Sequence, residues 1–145
     1  MKKLCSNLIY IAFGLYCAVM VWLLFGQRVG ADMTGAAHNF VPLQTITHFA
    51  AVARHADSAY LVRFAAINLV GNVAMFIPLG VFLPCLWPGL RTFWRFLLAA
   101  GLVIAAIEAV QLIARLGVCD IDDWILNMLG VSLGFALYRL LPGKS

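Results

Sequence analysis

Four stretches of about twenty mainly apolar residues divide the sequence, with shorter polar segments between them. They cover residues 4–25, 67–87, 93–115 and 121–141. A helix of about 20 apolar residues is long enough to cross the hydrocarbon core of a bilayer. The pattern therefore predicts an all-α polytopic membrane protein, in which four transmembrane helices form a bundle within a single domain of residues 1–145.

The composition supports a membrane protein. Apolar residues make up 64% of the 145 residues and charged residues 11%, against roughly 45–50% and about 25% in soluble domains. The mean hydropathy is +0.97. These values exclude a soluble enzyme and a soluble nucleic-acid-binding module. The net charge of +4 does not change this conclusion, because the basic residues form no dense patch. The four cysteines show neither disulfide-framework nor zinc-site spacing.

The basic residues predict the orientation of the helices. If four helices alternate, one side of the membrane receives Lys2, Lys3, Arg91, Arg95, Arg139 and Lys144. The positive-inside rule makes that side cytoplasmic, so both termini are expected there. The first apolar run is too long for the h-region of a signal peptide, and we interpret it as a retained span.

The segment of residues 26–66 is the long outer loop. Residues 39–44 have the composition of a turn. Further on, Ile46, Phe49, Ala53, Ala56 and Tyr60 recur at helical spacing. This favours a short helix lying in the membrane interface. A solvated loop with a few apolar residues is the alternative interpretation.

Polar residues inside or beside three of the spans are the candidates for function. With the predicted orientation, all of them fall at a similar depth in the outer half of the membrane. We predict that they line one binding site, and they are Asn68, Asn72, Glu108, Gln111, Arg115, Asp120, Asp122, Asp123 and Asn127.

Glu108 is the most informative of these residues. An acidic side chain at the centre of a span costs about 3 kcal/mol, so it normally faces protein or water. One interpretation is a functional polar cavity containing Glu108. The other is a purely structural set of hydrogen bonds between helices, each worth about 0.6 kcal/mol on average.

The three aspartates near the start of the fourth span also allow more than one interpretation. Carboxylates in a first turn suit the positive end of a helix dipole, and one of them can cap the helix. Carboxylates are also ligands of hard cations such as Mg²⁺. We predict no resident cofactor and keep a divalent cation at Asp120, Asp122 and Asp123 as an alternative.

Small residues predict where helices approach closely. Gly130 and Gly134 form a small-xxx-small face on the fourth span. Pro78 lies within the second span and lacks the backbone donor that would bond the carbonyl of Ala74, which predicts a kink.

The motifs around these residues resemble the VanZ-like family over about residues 38–138. The resemblance rests on three blocks in order, which begin at Asn68, Ile107 and Asp120. The first contains Asn72, Phe76, Pro78 and Gly80, the second Glu108 and Gln111, and the third Asp122, Asp123, Asn127 and Gly130. Residues 39–42, Asn-Phe-Val-Pro, resemble an upstream motif of the family.

Two positions depart from the family pattern. The family usually has an arginine after a glycine near the first aspartate, where this chain has Val118 after Gly117. The small polar residue often found before the glutamate is absent. The resemblance implies a small bacterial multi-pass protein of the cytoplasmic membrane, and the family's namesake is associated with resistance to the lipoglycopeptide teicoplanin. It implies no reaction mechanism.

Three functions remain open from the sequence. The first is a cell-envelope protein that binds a membrane lipid, a lipid-linked cell-wall intermediate or a lipoglycopeptide, with Arg115 and Arg63 facing phosphate or sugar. The second is a membrane enzyme acting on a lipid phosphate, with Glu108 and Asp123 as the candidate catalytic residues. The third is a structural or assembly subunit, partnered by a second copy or another membrane protein. No nucleic-acid partner is expected.

Overall fold

A computed structural model of the protein describes residues 2–26, 39–114, 116 and 119–141, with side chains from residue 7 onward. Five α-helices follow one another along the chain: α1 (Lys2–Val21), α2 (Gln44–His55), α3 (Ala59–Leu86), α4 (Phe93–Ile113) and α5 (Ile121–Leu140). A π-helical segment, Trp22–Gly26, continues α1, and a single 3₁₀ turn, Pro88–Leu90, joins α3 to α4. The described part of the chain contains no strand, in agreement with the predicted all-α class.

The described residues contain three helices that are long and apolar enough to cross a membrane, at Asn7–Gly26, Ala59–Leu86 and Phe93–Ile113. They coincide with the first three predicted spans. However, α3 begins at Ala59, eight residues before the predicted start, and therefore includes Arg63. The fourth predicted span is the helix α5, which has 20 residues. Its first turn carries Asp122 and Asp123, and it does not qualify as a spanning helix by composition.

The most extensive helix pairing joins α3 to α5. A Cβ atom on Gly130 would collide with the carbonyl oxygen of Val73, and one on Gly134 with the carbonyl oxygen of Ile77. From the opposite helix, a Cβ on Gly80 would collide with the carbonyl oxygen of Val131. The predicted small-xxx-small face is therefore confirmed, because only glycine lets these two backbones approach so closely.

The helix α1 packs on α3 mainly through aromatic rings. Phe13 contacts Phe82 and Trp87, with ring centroids 5.5 and 5.7 Å apart. The hydroxyl of Tyr16 donates a hydrogen bond of 2.9 Å to the carbonyl oxygen of Met75. A buried tyrosine hydroxyl usually needs a hydrogen-bond partner, and this carbonyl oxygen supplies it. The contact also fixes the position of α1 along the axis of α3.

The predicted turn and the short outer helix are both present. Residues 41–43 form a turn in which Leu43 has a φ of 67°, and α2 follows at Gln44. The helix ends at His55, so Ala56 caps it and Tyr60 belongs to α3 instead. Phe49 of α2 packs edge-on against Phe64 of α3, with ring centroids 5.8 Å apart. A short helix is therefore present, its expected extension to Tyr60 is wrong, and its position in the membrane interface stays a prediction.

The core lies between α3, α4 and α5. Its fully buried side chains include Phe76, Phe96, Ile104 and Val131. The rings of Phe96 and Phe135 pack with centroids 4.5 Å apart and link α4 to α5. This core places the amino-terminal end of α5 beside α2 and beside the last turns of α4.

Candidate functional site

A short backbone link joins the segment before α2 to the start of α5. The amide of Asn39 donates to the carbonyl oxygen of Cys119, and the amide of Ile121 donates to the carbonyl oxygen of Asn39, each at 3.0 Å. The side chain of Asn39 also donates to Asp120 at 2.9 Å. These contacts bring together two residues that are 81 positions apart in the chain, at the amino-terminal end of α5.

Asp120 is the amino-terminal cap of α5. Its Oδ1 accepts a hydrogen bond of 2.9 Å from the backbone amide of Asp122, as a capping aspartate should. Its other oxygen accepts from the hydroxyl of Thr45 at 2.6 Å. The prediction that one aspartate caps this helix is confirmed.

Asp122 caps a different helix. Its side chain is fully buried, and its carboxylate accepts backbone hydrogen bonds from Leu43 at 2.5 Å, Thr45 at 2.7 Å and Ile46 at 3.1 Å. These three amides lie at the amino-terminal end of α2, where backbone donors have no partner within the helix. Leu43 at the cap position has no side-chain acceptor, so a carboxylate from α5 replaces the usual capping side chain.

Asp123 joins α5 to α3. The side-chain amide of Asn72 donates a hydrogen bond of 2.6 Å to its Oδ1. This is the predicted meeting of polar side chains from the second and fourth spans. A charge-assisted hydrogen bond of this kind is stronger than one between neutral groups.

The other predicted residues do not all join this cluster. Asn68 donates to the carbonyl oxygen of Phe64 on its own helix. Gln111 is buried and donates at 2.9 Å to the carbonyl oxygen of Leu24, in the π-helical segment after α1. Asn127 is buried as well, and its Oδ1 has no hydrogen-bond partner. Arg115, the remaining predicted residue, lies outside the described residues. Gln111 and Asn68 thus donate their amides outside the aspartate cluster, and a binding site lined by all nine residues stays a prediction.

Glu108 lines a pocket between α4 and α5 with a volume of about 410 Å³. Asp120 and Cys119 lie in the same wall. The remaining lining is apolar and consists of Phe40, Ala105, Ala109, Leu112, Ile121 and Trp124. Glu108 is half-buried. Glu108 on α4 and Asp120 at the start of α5 are both among the residues that line this pocket, and its surface is almost entirely apolar.

Cys119 precedes Asp120 in the chain, and the pKa of its thiol depends on the charges of the site. Burial raises the pKa of the Cys119 thiol, and the negative charges of Glu108, Asp120 and Asp123 raise it further. The thiol therefore stays protonated at neutral pH and is a weak nucleophile. All three carboxylates lie close enough to act on one sulfur atom.

Metal binding finds no support in the positions that the structure describes. They contain no group of three or more His, Cys, Asp or Glu side chains arranged to hold an ion. The carboxylate of Asp122 points at backbone donors, and that of Asp123 accepts from the amide of Asn72. These backbone and side-chain N–H donors already bond carboxylate oxygen atoms with which a cation would have to be coordinated.

Sequence reasoning missed two residues of this site. Asn39 and Thr45 bind Asp120 directly, and neither is among the predicted site residues, although Asn39 belongs to the predicted turn and to the upstream motif. An asparagine in a turn and a threonine at a helix start have ordinary local explanations. The acidic residues near Asp120 could have pointed to them, because several carboxylates in one place require hydrogen-bond donors from elsewhere in the chain.

These features define a class: an all-helical membrane protein with an acidic site where α2, α4 and α5 meet. The VanZ/LLP1 family model matches residues 11–142. The chain belongs to that family, as its motifs suggested. Searches of curated protein sequences and of solved structures found no significant match.

Proposed function

We propose that this protein is a multi-pass component of a bacterial cytoplasmic membrane and that it binds an amphiphile in the pocket of Glu108 and Asp120. In this proposal α5 is the fourth span. Its most extensive packing is with α3, and its two first-turn aspartates lie at the outer interface, where their hydrogen-bond donors are supplied by the protein. Both termini are cytoplasmic, and α2 lies in the outer interface.

Exposed apolar side chains support an interfacial position for the outer segment. Phe40, Val41 and Leu43 are each more than half exposed, although the turn that contains them belongs to the outer loop. In water such a cluster would be unfavourable, whereas the interface accommodates an amphipathic helix with its apolar face buried. The contact of Phe49 with Phe64 keeps α2 against α3 at this level.

The observation that carries the binding proposal is a pocket with apolar walls between α4 and α5, with the acidic residues Glu108 and Asp120 among its lining. Binding sites for small molecules typically combine such walls with a few polar groups that fix orientation, and measure about 300–1,000 Å³. The carboxylate of Glu108 accepts hydrogen bonds, so it favours a head group rich in donors, such as sugar hydroxyls or amines. The oxygens of Asp120 already accept from donors of the protein. Lipid-linked cell-wall intermediates and lipoglycopeptides both combine such a head with an apolar chain.

The remaining acidic residues have structural roles in this proposal. Asp122 accepts hydrogen bonds from backbone amides of α2, and Asp123 accepts one from Asn72 of α3. Each aspartate therefore links α5 to another helix. The structural hypothesis therefore applies to these two residues, and the binding hypothesis to Glu108. Asp120 both caps α5 and lines the pocket. This division predicts opposite results for the two groups when each is substituted.

Photolabelling tests the binding proposal. The protein is placed in lipid nanodiscs with hexadecyl glucoside that carries a diazirine beside the sugar, and labelled peptides are mapped. Wild-type protein should be labelled near Glu108 and Cys119. Losing a hydrogen bond to a charged group is worth about 1.5–3 kcal/mol, so Glu108→Gln should reduce this labelling about tenfold or more.

Asp57→Asn is the matched control, because Asp57 is an exposed acid outside the helices. It should label like wild type. Equal labelling of folded Glu108→Gln would refute the proposal. Unlabelled teicoplanin added as a competitor tests whether a lipoglycopeptide occupies the same pocket.

Cysteine accessibility tests the four-span topology. In a variant without native cysteines, Ser58→Cys should react with a membrane-impermeant maleimide in intact cells. Arg91→Cys and Leu141→Cys should react only after the membrane is opened. Labelling of Leu141→Cys in intact cells would mean that α5 does not cross.

A further inference from the structure

Asn127 of α5 carries a buried amide whose oxygen atom is not bonded by the protein. Its side chain is 3% exposed, and its Oδ1 accepts no hydrogen bond from the residues that the structure describes. Burying a polar atom without a partner is costly. Buried polar atoms are therefore nearly always bonded, either to protein or to ordered water. The Oδ1 atom of Asn127 thus indicates a bound donor molecule.

The position of Asn127 on α5 places it against α3. Asp123, Asn127, Gly130 and Gly134 are spaced by three or four residues and so lie on one face of the helix. Asp123 accepts a hydrogen bond from Asn72 of α3. The two glycines meet the backbone of α3. Asn127 lies between these contacts on the same face, so its side chain belongs to the α3–α5 interface.

Two contacts limit the space around Asn127. One turn before it, Asp123 is bonded to Asn72. One turn after it, a Cβ atom on Gly130 would collide with the carbonyl oxygen of Val73. Asn72 and Val73 are consecutive in α3, so a single turn of α3 faces this part of α5, which is about 10 Å long. Only a small molecule fits between two such contacts.

The donor side chains nearby already have acceptors. The amide of Asn68 and the hydroxyl of Ser132 each donate to a carbonyl oxygen of their own helix. The amide of Asn72 donates to Asp123. Acceptor atoms are plentiful by comparison, because an asparagine oxygen and a carboxylate each accept more than one hydrogen bond. The site therefore selects a small molecule that donates hydrogen bonds.

A single water molecule has this chemistry and this size. The Cβ atoms of residues four apart on a helix are about 5–6 Å from each other. Two O–H···O bonds of about 2.7–2.8 Å span such a gap between Asp123 and Asn127. Internal waters typically make about three hydrogen bonds to polar groups that otherwise lack partners. A hard metal ion such as Ca²⁺ takes about six to eight oxygen ligands, more than the side chains of Asn72, Asp123 and Asn127 provide.

We infer that the α3–α5 interface binds an internal water molecule, which donates one hydrogen bond to Oδ1 of Asn127 and the other to the Asn72–Asp123 pair. The water extends this polar link by one turn along α5, as far as the close contact at Gly130. The water site is separate from the pocket of Glu108, because Asn127 is not among the residues that line that pocket. Its occupancy does not depend on the proposed function.

Nuclear magnetic resonance of the full chain in detergent micelles tests for this water. Asparagine and glutamine are isotope-labelled in an otherwise deuterated protein, and their side-chain amide signals are assigned through the backbone. The amide protons of Asn127 should show a nuclear Overhauser peak with water, with the sign of a long-lived bound molecule. Gln111 is the internal control, because it is also buried but bonds the carbonyl oxygen of Leu24. Its amide should show no such peak.

Two variants test whether the water links Asn127 to the neighbouring helix. In wild type, the amide of Asn72 should also show a peak with this water. Asn127→Leu removes one of the two acceptors and should abolish the Asn72 peak. Ser132→Ala is the matched control, since the Ser132 hydroxyl bonds only the carbonyl oxygen of Met128. It should leave the Asn72 peak as in wild type.

Each outcome decides the matter. Peaks at Asn127 and Asn72 with none at Gln111 support the water site. No peak at Asn127 in wild-type protein refutes it. Equal peaks at Asn127 and Gln111 would mean that water enters the whole bundle, and a discrete site would be wrong. An Asn72 peak that persists in folded Asn127→Leu would show that no water bridges the two residues. The comparison of Asn127 with Gln111 uses wild-type protein alone and stands even if a variant fails to fold.

Discussion

The side-chain amide of Asn72 donates a 2.6 Å hydrogen bond to the carboxylate of Asp123, joining α3 to α5. The two residues are 51 positions apart in the chain. Asn72 directly precedes Val73, whose backbone meets Gly130 at the glycine crossing, and Asp123 lies about two helical turns before Gly130. A polar link and a close apolar crossing thus fix the same pair of helices, and each can be tested separately.

Removing the polar link should destabilise the protein. Asn72→Ala takes away a donor to a charged acceptor, which is worth about 1.5–3 kcal/mol. The free energy of unfolding, or the melting temperature in detergent, should fall accordingly. Asn68→Ala is the control, because its amide bonds only the backbone of its own helix. Equal losses in the two variants would show that the contact with Asp123 adds nothing.

The glycine crossing should be intolerant of even one methyl group. Gly134→Ala places a Cβ atom against the carbonyl oxygen of Ile77, which forces α3 and α5 apart and should cost about 1–3 kcal/mol or more. Gly14→Ala is the control, since a Cβ there meets nothing within 4 Å. Alanine is favoured over glycine within a helix by roughly 0.5–1 kcal/mol, so Gly14→Ala should be neutral or stabilising. Thermal unfolding of the two variants in parallel measures the difference, and a stable Gly134→Ala protein would contradict the observed packing.

Asp122 should determine whether α2 stays folded against α5. Asp122→Asn replaces one acceptor oxygen with an amide that cannot accept from the backbone donors of α2. Hydrogen exchange at the amides of Thr45 and Ile46 should accelerate about tenfold or more, since each such bond is worth at least about 1.5 kcal/mol. Exchange in the middle of α4 should change less. Protection of Thr45 and Ile46 at the wild-type level would exclude the capping role.

The thiol of Cys119 should report the charge of Glu108. Burial and the nearby carboxylates raise its pKa above the ordinary value of 9.0. The reactive thiolate is therefore scarce at pH 8, and its fraction grows as the pH rises. Glu108→Gln removes one negative charge, lowers the pKa and should speed alkylation of Cys119 at pH 8.

This measurement needs a protein whose other cysteines, Cys5, Cys17 and Cys85, are replaced by alanine. Every other residue of this protein, including Arg115, keeps its wild-type identity. Asp57→Asn, which removes a distant charge, should leave the rate as in wild type. An unchanged rate in Glu108→Gln would place Glu108 away from the sulfur atom.

The sequence could predict much of the fold because the relevant forces act locally. Apolar runs of about 20 residues located α1, α3, α4 and α5, and the spacing of Ile46 and Phe49 indicated α2. The small residues at Gly130 and Gly134 marked the close crossing. The start of α3 was misplaced because residues 59–66 contain Arg63, and a helix can continue past a charge once it leaves the apolar run.

By itself, the sequence determined the class of protein, the positions of its apolar helices and the set of polar residues that a membrane interior would not tolerate. Only the tertiary structure decided how those residues pair. Glu108 and Gln111 lie three positions apart on one helix, yet Glu108 lines the pocket with Asp120 while Gln111 bonds the carbonyl oxygen of Leu24. Three aspartates fall within four positions of the chain, but each has a different partner. Asp120 accepts from the hydroxyl of Thr45, Asp122 from the backbone amide of Ile46, and Asp123 from the side chain of Asn72. The physical reason is that hydrophobicity and helical period are properties of a short segment, whereas each hydrogen bond requires a donor brought from a distant part of the chain by packing.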